Sequence, residues 1–338
     1  EVKLRPGAPW EEFRAALDDF WSTPMDPDLP AWRYGLVHQD SPPRAVLAVE
    51  MHHSQADGVS ALGLLDRLLD PAPDDPLTER QPGPHGRRRT AGVRHIAKGL
   101  WHLATRGPVP RHPLRDVEGS GRRQLARVPI PLEQLRALAG RFDARPHEIV
   151  LALVAEALPR ALEPAGLLLP GRPLRAMVPV AVRAPRFDRV FGNWTGALAV
   201  DLPAGAGSFA RTLEMLQEEL RRRASRHEAE AAAAVMWLAG QLPAGLPRLF
   251  VRAVYQRRFF TTVVSYMPGA RRGRWVGGAR VRAMYPVLPL AKGVPLTVGA
   301  VVADGTVGMA VLLDPALGLD PDAVELAFVS AIDDALGS

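Results

Sequence analysis

The stretch MHHSQADGVSALGLLDRLLD, Met51 to Asp70, holds two adjacent histidines, an aspartate four residues after the second, and then a glycine. The run before it, Ala45 to Met51, is nearly all apolar and reads as a strand buried on both faces. After it, leucines at 62, 65, 68 and 69 form the stripe of a helix over Ser60 to Leu69. The histidines therefore fall on a strand-to-helix loop, which rigid elements on both sides fix in place for chemistry. Side chains alternate along an extended strand, so His52 and His53 are expected to point opposite ways, with one facing a cleft. An imidazole titrates at about pH 6.5 and can take up and return a proton near neutrality. Asp57 reads either as a brace for the loop or as a helix N-cap, and Gly58 permits a tight backbone at the helix entry. A packed side chain is the competing reading of His52. A metal site lacks a further nearby cluster of histidines or acids to complete its shell, so none is expected.

Outward from this loop, helix and strand patterns alternate. Trp10 to Trp21 reads as a helix and Trp32 to His38 as a strand. Asp70 to Gly86, rich in Pro, Asp and Gly, reads as a linker. Arg87 to Arg106 is a basic amphipathic segment, suited to an interdomain crossover or to an anionic membrane surface. Thr105 to Gly121 is again loop-like and marks the expected boundary between residues 1–116 and 117–338. The second half predicts strands at 124–130, 174–182, 196–202, 261–266, 280–285, 296–302 and 307–313. Helices are expected at 132–141, 147–162, through Phe209 to Leu220, at 228–238 and 246–257, and from Asp320-Pro321 to about Leu336; Pro146 suits the first turn of the second, which is apolar nearly all round and so buried, with Glu148 helping its terminus and His147 an alternative base. The class is α/β, in two halves.

Composition narrows the chemistry. The 338 residues contain no cysteine, which removes disulfides, thiolate metal sites, iron–sulfur clusters and thiol nucleophiles. A net charge of +6 suits anionic partners, and equally suits solvated arginine-rich helices. No secretory leader and no apolar run long enough to span a bilayer is read, so a cytoplasmic location is expected. No zinc-finger or RNA-binding signature supports nucleic acid as a partner.

The HHSQADG string resembles the His-His-x-x-x-Asp-Gly motif of the superfamily that includes chloramphenicol acetyltransferase and nonribosomal peptide condensation domains. STPMDPDLPAWRYGLV (Ser22 to Val37), LRAMVPVAVR (Leu174 to Arg183), GNWTGALAVDLP (Gly192 to Pro203), VVSYMPG (Val263 to Gly269) and GARVRAMYPVLPLAKGVPLTV (Gly278 to Val298) narrow it. They resemble, in order along nearly the whole chain, segments of the bacterial wax ester synthase/diacylglycerol acyltransferase family. The sequence departs from that pattern at His147-Glu148 and at Tyr266-Met267, and the family's N-terminal opening, with its first strand and a Pro-Leu-Ser-type motif, is not read in it.

The resemblance implies two α/β lobes of the coenzyme A-dependent, chloramphenicol acetyltransferase-like fold, with a tunnel at their junction. It implies an O-acyltransferase that moves a fatty acyl group from acyl-coenzyme A, a co-substrate rather than a resident cofactor, to a long-chain alcohol or diacylglycerol. His53 would be the general base and Asp57 a brace, with His52 and Gly58 completing the motif. Ser265, Asn193 and Thr195 are the candidate oxyanion donors; Trp194, Tyr266 and Met267 are expected to line the substrate path. Arg87 to Arg89, Arg221 to Arg223, Arg257 and Arg258 are candidate attractors of the coenzyme's phosphates, against the plainer reading of solvated helix faces. Two alternatives keep part of this picture. One is transfer to a hydroxyl or amine of a secondary metabolite from a coenzyme A or carrier-protein thioester. The other is a non-catalytic lipid-binding member. Contact with the inner membrane face or a lipid droplet is a further expectation of the same resemblance.

Overall fold

Two sheets, one small and one large, organise the chain. The computed structural model describes residues 1–53, 55–71, 92–105, 107, 109, 111–169, 171–181, 195–240, 259–270 and 273–337. The small sheet has the order β1 (Val2–Lys3), β2 (Trp32–Gln39), β3 (Arg44–Met51). β2 and β3 pair antiparallel with Trp32 opposite Met51. Helix α1 (Trp10–Ser22) covers one face, where Phe13 and Leu17 are buried with Val37 and Ala48. The expectation that β3 is buried on both faces is corrected here. Leu47 and Val49 are exposed, beside Trp32 and Tyr34 of β2, because among the described residues only α1 packs on this sheet. Two apolar faces in a strand are thus compatible with one-sided cover, and the residue pattern alone does not tell them apart.

After β3 come α2 (Gly58–Leu68), α3 (Val93–Thr105) and the short α4 (Pro113–Asp116). The large sheet is mixed. Its strands are β4 (Gln124–Pro131), β5 (Leu174–Ala181), β6 (Thr195–Leu202), β7 (Thr262–Ala270), β10 (Leu296–Ala303) and β11 (Thr306–Leu313), ordered β4-β11-β10-β7-β5-β6. β8 (Arg274–Val276) and β9 (Ala279–Val281) form a separate ribbon. β10 runs parallel to β7 with Gly299 opposite Ser265, and β7 runs parallel to β5.

Helices α5 (Leu132–Arg141), α6 (Pro146–Leu162), α7 (Phe209–Ser225), α8 (Glu228–Gly240) and α9 (Pro321–Gly337) complete the fold. α6 is apolar nearly all round, as its sequence predicts, and is the centre of the main core, packing on α7 and α9. Pro146 occupies its first turn, and the Glu148 carboxylate accepts from the Arg145 N–H at 2.9 Å, a terminus brace of the kind expected there. Asp320 likewise accepts from the Asp322 N–H at 3.0 Å at the start of α9. Leu296, Val298, Ala300 and Val302 of β10 face this helical layer.

The opposite face of the sheet is covered by backbone at very close range. A Cβ on Gly299 would lie 2.2 Å from the Pro286 carbonyl oxygen, and one on Gly308 only 1.9 Å from that of Met284. Neither glycine has a positive φ, so close approach is what requires them. The Thr297 hydroxyl donates to the Leu288 carbonyl at 3.0 Å on the same side. The strand expected over 280–285 is therefore shorter than its sequence suggests. β9 ends at Val281, and the following residues cross the sheet rather than join it. The helix expected at 246–257 and most of the linker at 70–86 lie outside the described residues.

The two halves interlock at several points. The Leu125 N–H of β4 donates to Asp18 of α1 at 3.0 Å, and the Arg123 N–H donates to the Ser22 hydroxyl at 2.8 Å. α3, the described part of the basic amphipathic segment, packs on α8, with the rings of His95 and His227 at 4.3 Å. It therefore serves as a packed crossover.

Candidate active site

The strand ends at Met51, one residue before the histidines. His52 is held by its N–H donating to the Ala31 carbonyl at 2.8 Å, and its own carbonyl accepts from the Gln55 N–H at 2.9 Å. The chain therefore turns at His53 instead of continuing the alternation of the strand, and both histidines are exposed. The pleat on which the expectation of opposite-facing side chains rests does not extend to them.

Asp57 is the N-cap of α2. It is only 1% exposed, and its Oδ1 accepts from the Ser60 N–H at 2.8 Å. That bond satisfies one of the orphan amides of the first turn and fixes where the loop becomes helix. Of the two sequence readings of Asp57, this bond shows the N-cap. Gly58 follows directly. A Cβ there would lie 2.7 Å from the Met267 sulfur, so the glycine lets the start of α2 press onto β7. Two further ties hold α2 to the second half. Asp66 pairs with Arg274 at 2.6 Å, both largely buried, and the Asp70 and Trp275 backbones exchange hydrogen bonds at 2.9 and 3.0 Å.

Side-chain alternation along β7 decides which of its residues face the loop. Met267 touches Gly58, while Val264 and Tyr266 pack on the helix-side core. Ser265 is therefore on the same face as Met267, partly exposed, and its hydroxyl makes no hydrogen bond among the described residues. Tyr266 is turned to the other side of the sheet, away from the loop. Thr195 opens β6, its backbone paired with that of Ala181. Asn193 and Trp194 lie outside the described residues, as does Ser54.

His147 sits at the start of α6, where burial pushes its pKa below the usual imidazole value. The arginine cluster at 221–223 does not offer three open charges. Arg223 is buried between Glu219, in a close ion pair, and Glu228 at 3.0 Å; Arg221 pairs with Glu218 at 3.2 Å and Arg222 with Glu219 at 3.7 Å. Arg87 to Arg89, Arg257 and Arg258 lie outside the described residues. Among the described residues no group of three or more histidines and acids is placed to hold a metal ion, and no helix is long and apolar enough to cross a membrane.

The sequence alone did not show the Asp66–Arg274 tie or the backbone crossing at Gly299. Each joins residues far apart in the chain, and no local pattern marks them.

Comparison with known proteins agrees with this architecture. Residues 2–107 match the wax ester synthase/diacylglycerol acyltransferase catalytic domain, and residues 191–335 match the C-terminal domain of the same family. The chain belongs to the wax ester synthase/diacylglycerol acyltransferase family. The first of these matches contains the histidine loop and the second contains β7. A Mycobacterium bovis protein, named provisionally as a diacylglycerol O-acyltransferase, is 28% identical over 321 residues. That alignment takes in 83% of this chain and 63% of the relative, so the chain spans somewhat under two thirds of that family member. The wax ester synthase/diacylglycerol acyltransferase of Marinobacter aquaeolei has the same fold, with a TM-score of 0.70 and 20% identity over 99% of this chain and 78% of that one. The starter condensation domain of rhizomide synthetase, solved with C8-CoA, shares the fold at a TM-score of 0.55 and 15% identity, over 99% of this chain and 78% of that one.

Proposed function

We propose that the chain is an O-acyltransferase that moves an acyl group from acyl-coenzyme A to a hydroxyl acceptor, an alcohol or diacylglycerol, with His53 as the general base. The observation that carries this reading is the docking of the capped His52–Gly58 loop on β7, on the face that also carries Ser265, whose hydroxyl makes no hydrogen bond among the described residues. In this reading residues 1–116 and 117–338 are the two lobes, and the substrates meet where the loop touches β7.

His53 takes the proton of the acceptor hydroxyl as its oxygen attacks the thioester carbonyl. The new C–O bond leaves a tetrahedral intermediate with a negative oxygen, for which Ser265, with Asn193 and Thr195, supplies donors. Collapse breaks the C–S bond, and the protonated His53 returns the proton to the departing thiolate. The products are an ester and free coenzyme A, with no acyl-enzyme. Asp57 acts through the loop backbone: it caps α2, fixes the turn, and so orients His53. Met267, pressed against Gly58, lines the apolar side of the path. Names of relatives support the acceptor class, and the C8-CoA bound to the rhizomide condensation domain supports the donor class.

The test is thiol release from acyl-coenzyme A of several chain lengths, with a panel of alcohols, diacylglycerol and amines, and product mass as a second readout. The expected result is acceptor-dependent release that falls about 10²- to 10⁴-fold in His53→Ala, the usual contribution of a general base. Release unchanged in His53→Ala, or absent with every pair, would overturn the proposal.

A further inference from the structure

Helix α2 carries the histidine loop at its N-terminus, and its far end is tied to the β8–β9 ribbon. The Arg274 Nε donates to the Asp66 carboxylate at 2.6 Å, and Arg274 is only 8% exposed. Just past the helix, Asp70 and Trp275 form an isolated antiparallel bridge. The ribbon is itself braced. Arg280 of β9 donates to Asp304, in the turn between β10 and β11, at 2.7 Å. The Arg280 guanidinium also lies 5.6 Å from the Trp275 ring. That ring folds back over Gly273, where a Cβ would stand 2.9 Å from it.

These ties act on the loop because a helix moves as a stiff element. Contact of Gly58 with Met267 fixes α2 at one point, and a rod held at one point can still pivot. Asp66 lies about two turns further on, about 12 Å along the axis, so the Arg274 bond holds α2 where its leverage is greatest. A charged guanidinium–carboxylate bond is directional and fixes bearing as well as distance. The loop has two supports. β3 holds one end through the His52 N–H on the Ala31 carbonyl, and α2 holds the other through Asp57. The bearing of α2 therefore sets how His53 stands against the face of β7 that carries Ser265 and Met267.

We infer that Arg274 is a positioning residue: through Asp66 it sets the bearing of α2, and with it the place of the His53 ring against β7. It touches no substrate. Its effect on rate rests on the acyl-transfer reading; the placement of the ring does not. Misplacing a reacting group by about 1 Å costs up to about 10²-fold in rate. The groups that bind the substrates are untouched, so the loss falls on kcat and leaves KM in place.

The test compares the whole chain with Arg274→Met, Arg274→Lys and the double variant Asp66→Leu/Arg274→Met. Arg274→Met leaves the Asp66 carboxylate buried without its partner and should lose stability. The double variant leaves no such charge and should recover it. Neither restores the directional tie. The expected result is a kcat about 10- to 100-fold lower in both, with KM for acyl-coenzyme A and acceptor within about twofold of the parent. Arg274→Lys keeps a charge facing Asp66 and should recover part of kcat. NMR of the histidine rings gives a readout apart from activity, with the His53 signal assigned by its loss in His53→Ala. That signal should move in both methionine variants and return toward the parent position in Arg274→Lys, while those of His95 and His227 stay. A kcat that recovers with stability in the double variant would show that Arg274 serves stability alone. An unmoved His53 signal in both methionine variants would equally overturn the inference. If the parent releases no thiol with any substrate pair, the acyl-transfer reading fails, and the ring signal by itself decides whether Arg274 places the loop.

Discussion

Replacing Gly58 by alanine tests directly whether α2 is seated on β7. The new Cβ would stand 2.7 Å from the Met267 sulfur, where ordinary contact needs roughly 3.5–4 Å, so one side must give by about 1 Å. Met267 is only 6% exposed and its neighbours limit where the thioether can swing. Its flexibility places the cost at the lower end of the overpacking range, about 1–2 kcal/mol. Alanine's better helix propensity opposes this by less than about 1 kcal/mol at a first-turn position. The single variant is therefore expected to lose up to about 2 kcal/mol of stability. Met267→Ala alone removes a buried side chain and should cost about 2–3 kcal/mol. In the double variant the clash is gone, and Gly58→Ala becomes neutral or stabilising. The coupling between the two positions is then about 1–2 kcal/mol, well outside the roughly 0.3–0.5 kcal/mol scatter of independent sites. Urea denaturation of the four proteins at one pH gives that number. Additivity within about 0.5 kcal/mol would mean that the helix entry and Met267 are not in contact, and the proposed site would lose its floor.

Asp18 is partly buried where α1 meets β4, and burial raises its pKa from 3.8 to about 7 against the pull of the Leu125 N–H and Arg14. A carboxyl whose folded pKa is raised favours folding below its unfolded value, and that contribution is lost as pH rises through about 7. The full loss is at most about 4 kcal/mol, reduced by residual solvent contact. Asp18→Asn keeps an acceptor for Leu125, so it should match the parent near pH 4 and exceed its stability at pH 8; parallel stability–pH curves would contradict this. Gly99→Ala would put a Cβ 2.4 Å from the His227 carbonyl and 2.6 Å from the Ala231 Cβ. Backbone cannot rotate away, so α3 must lift from α8, and amide exchange across α3 should rise at least about tenfold, a loss of some 1–3 kcal/mol of local stability. Unchanged protection there would show that the two helices do not pack at Gly99.

Much of this molecule was readable from local pattern. The apolar surround of α6, Pro146 at its start and Glu148 behind it marked a buried, capped helix, and these are short-range signals. The histidine loop was placed between strand and helix for the same reason. Errors arose where a residue's environment depends on distant chain. β3 carries apolar residues on both faces, yet its cover is set by whether another element reaches it. The residues after Val281 have strand-like composition, but the backbone crossing at Gly299 and Gly308 takes them over the sheet. Tyr266 sits between Ser265 and Met267 of the proposed site and packs on the other face of the sheet, a matter of pleat phase that is set by where β7 pairs with β10.

The sequence by itself determined the α/β class and the place of most described elements, because period and capping are properties of neighbouring residues, and the likeness of its motifs pointed to the family. Only the tertiary structure decided that Asp57 closes its turn under burial, that Gly58 meets Met267, and that Arg223 is enclosed by two glutamates. These depend on distances between segments far apart in the chain, and packing sets such distances only when the whole core closes.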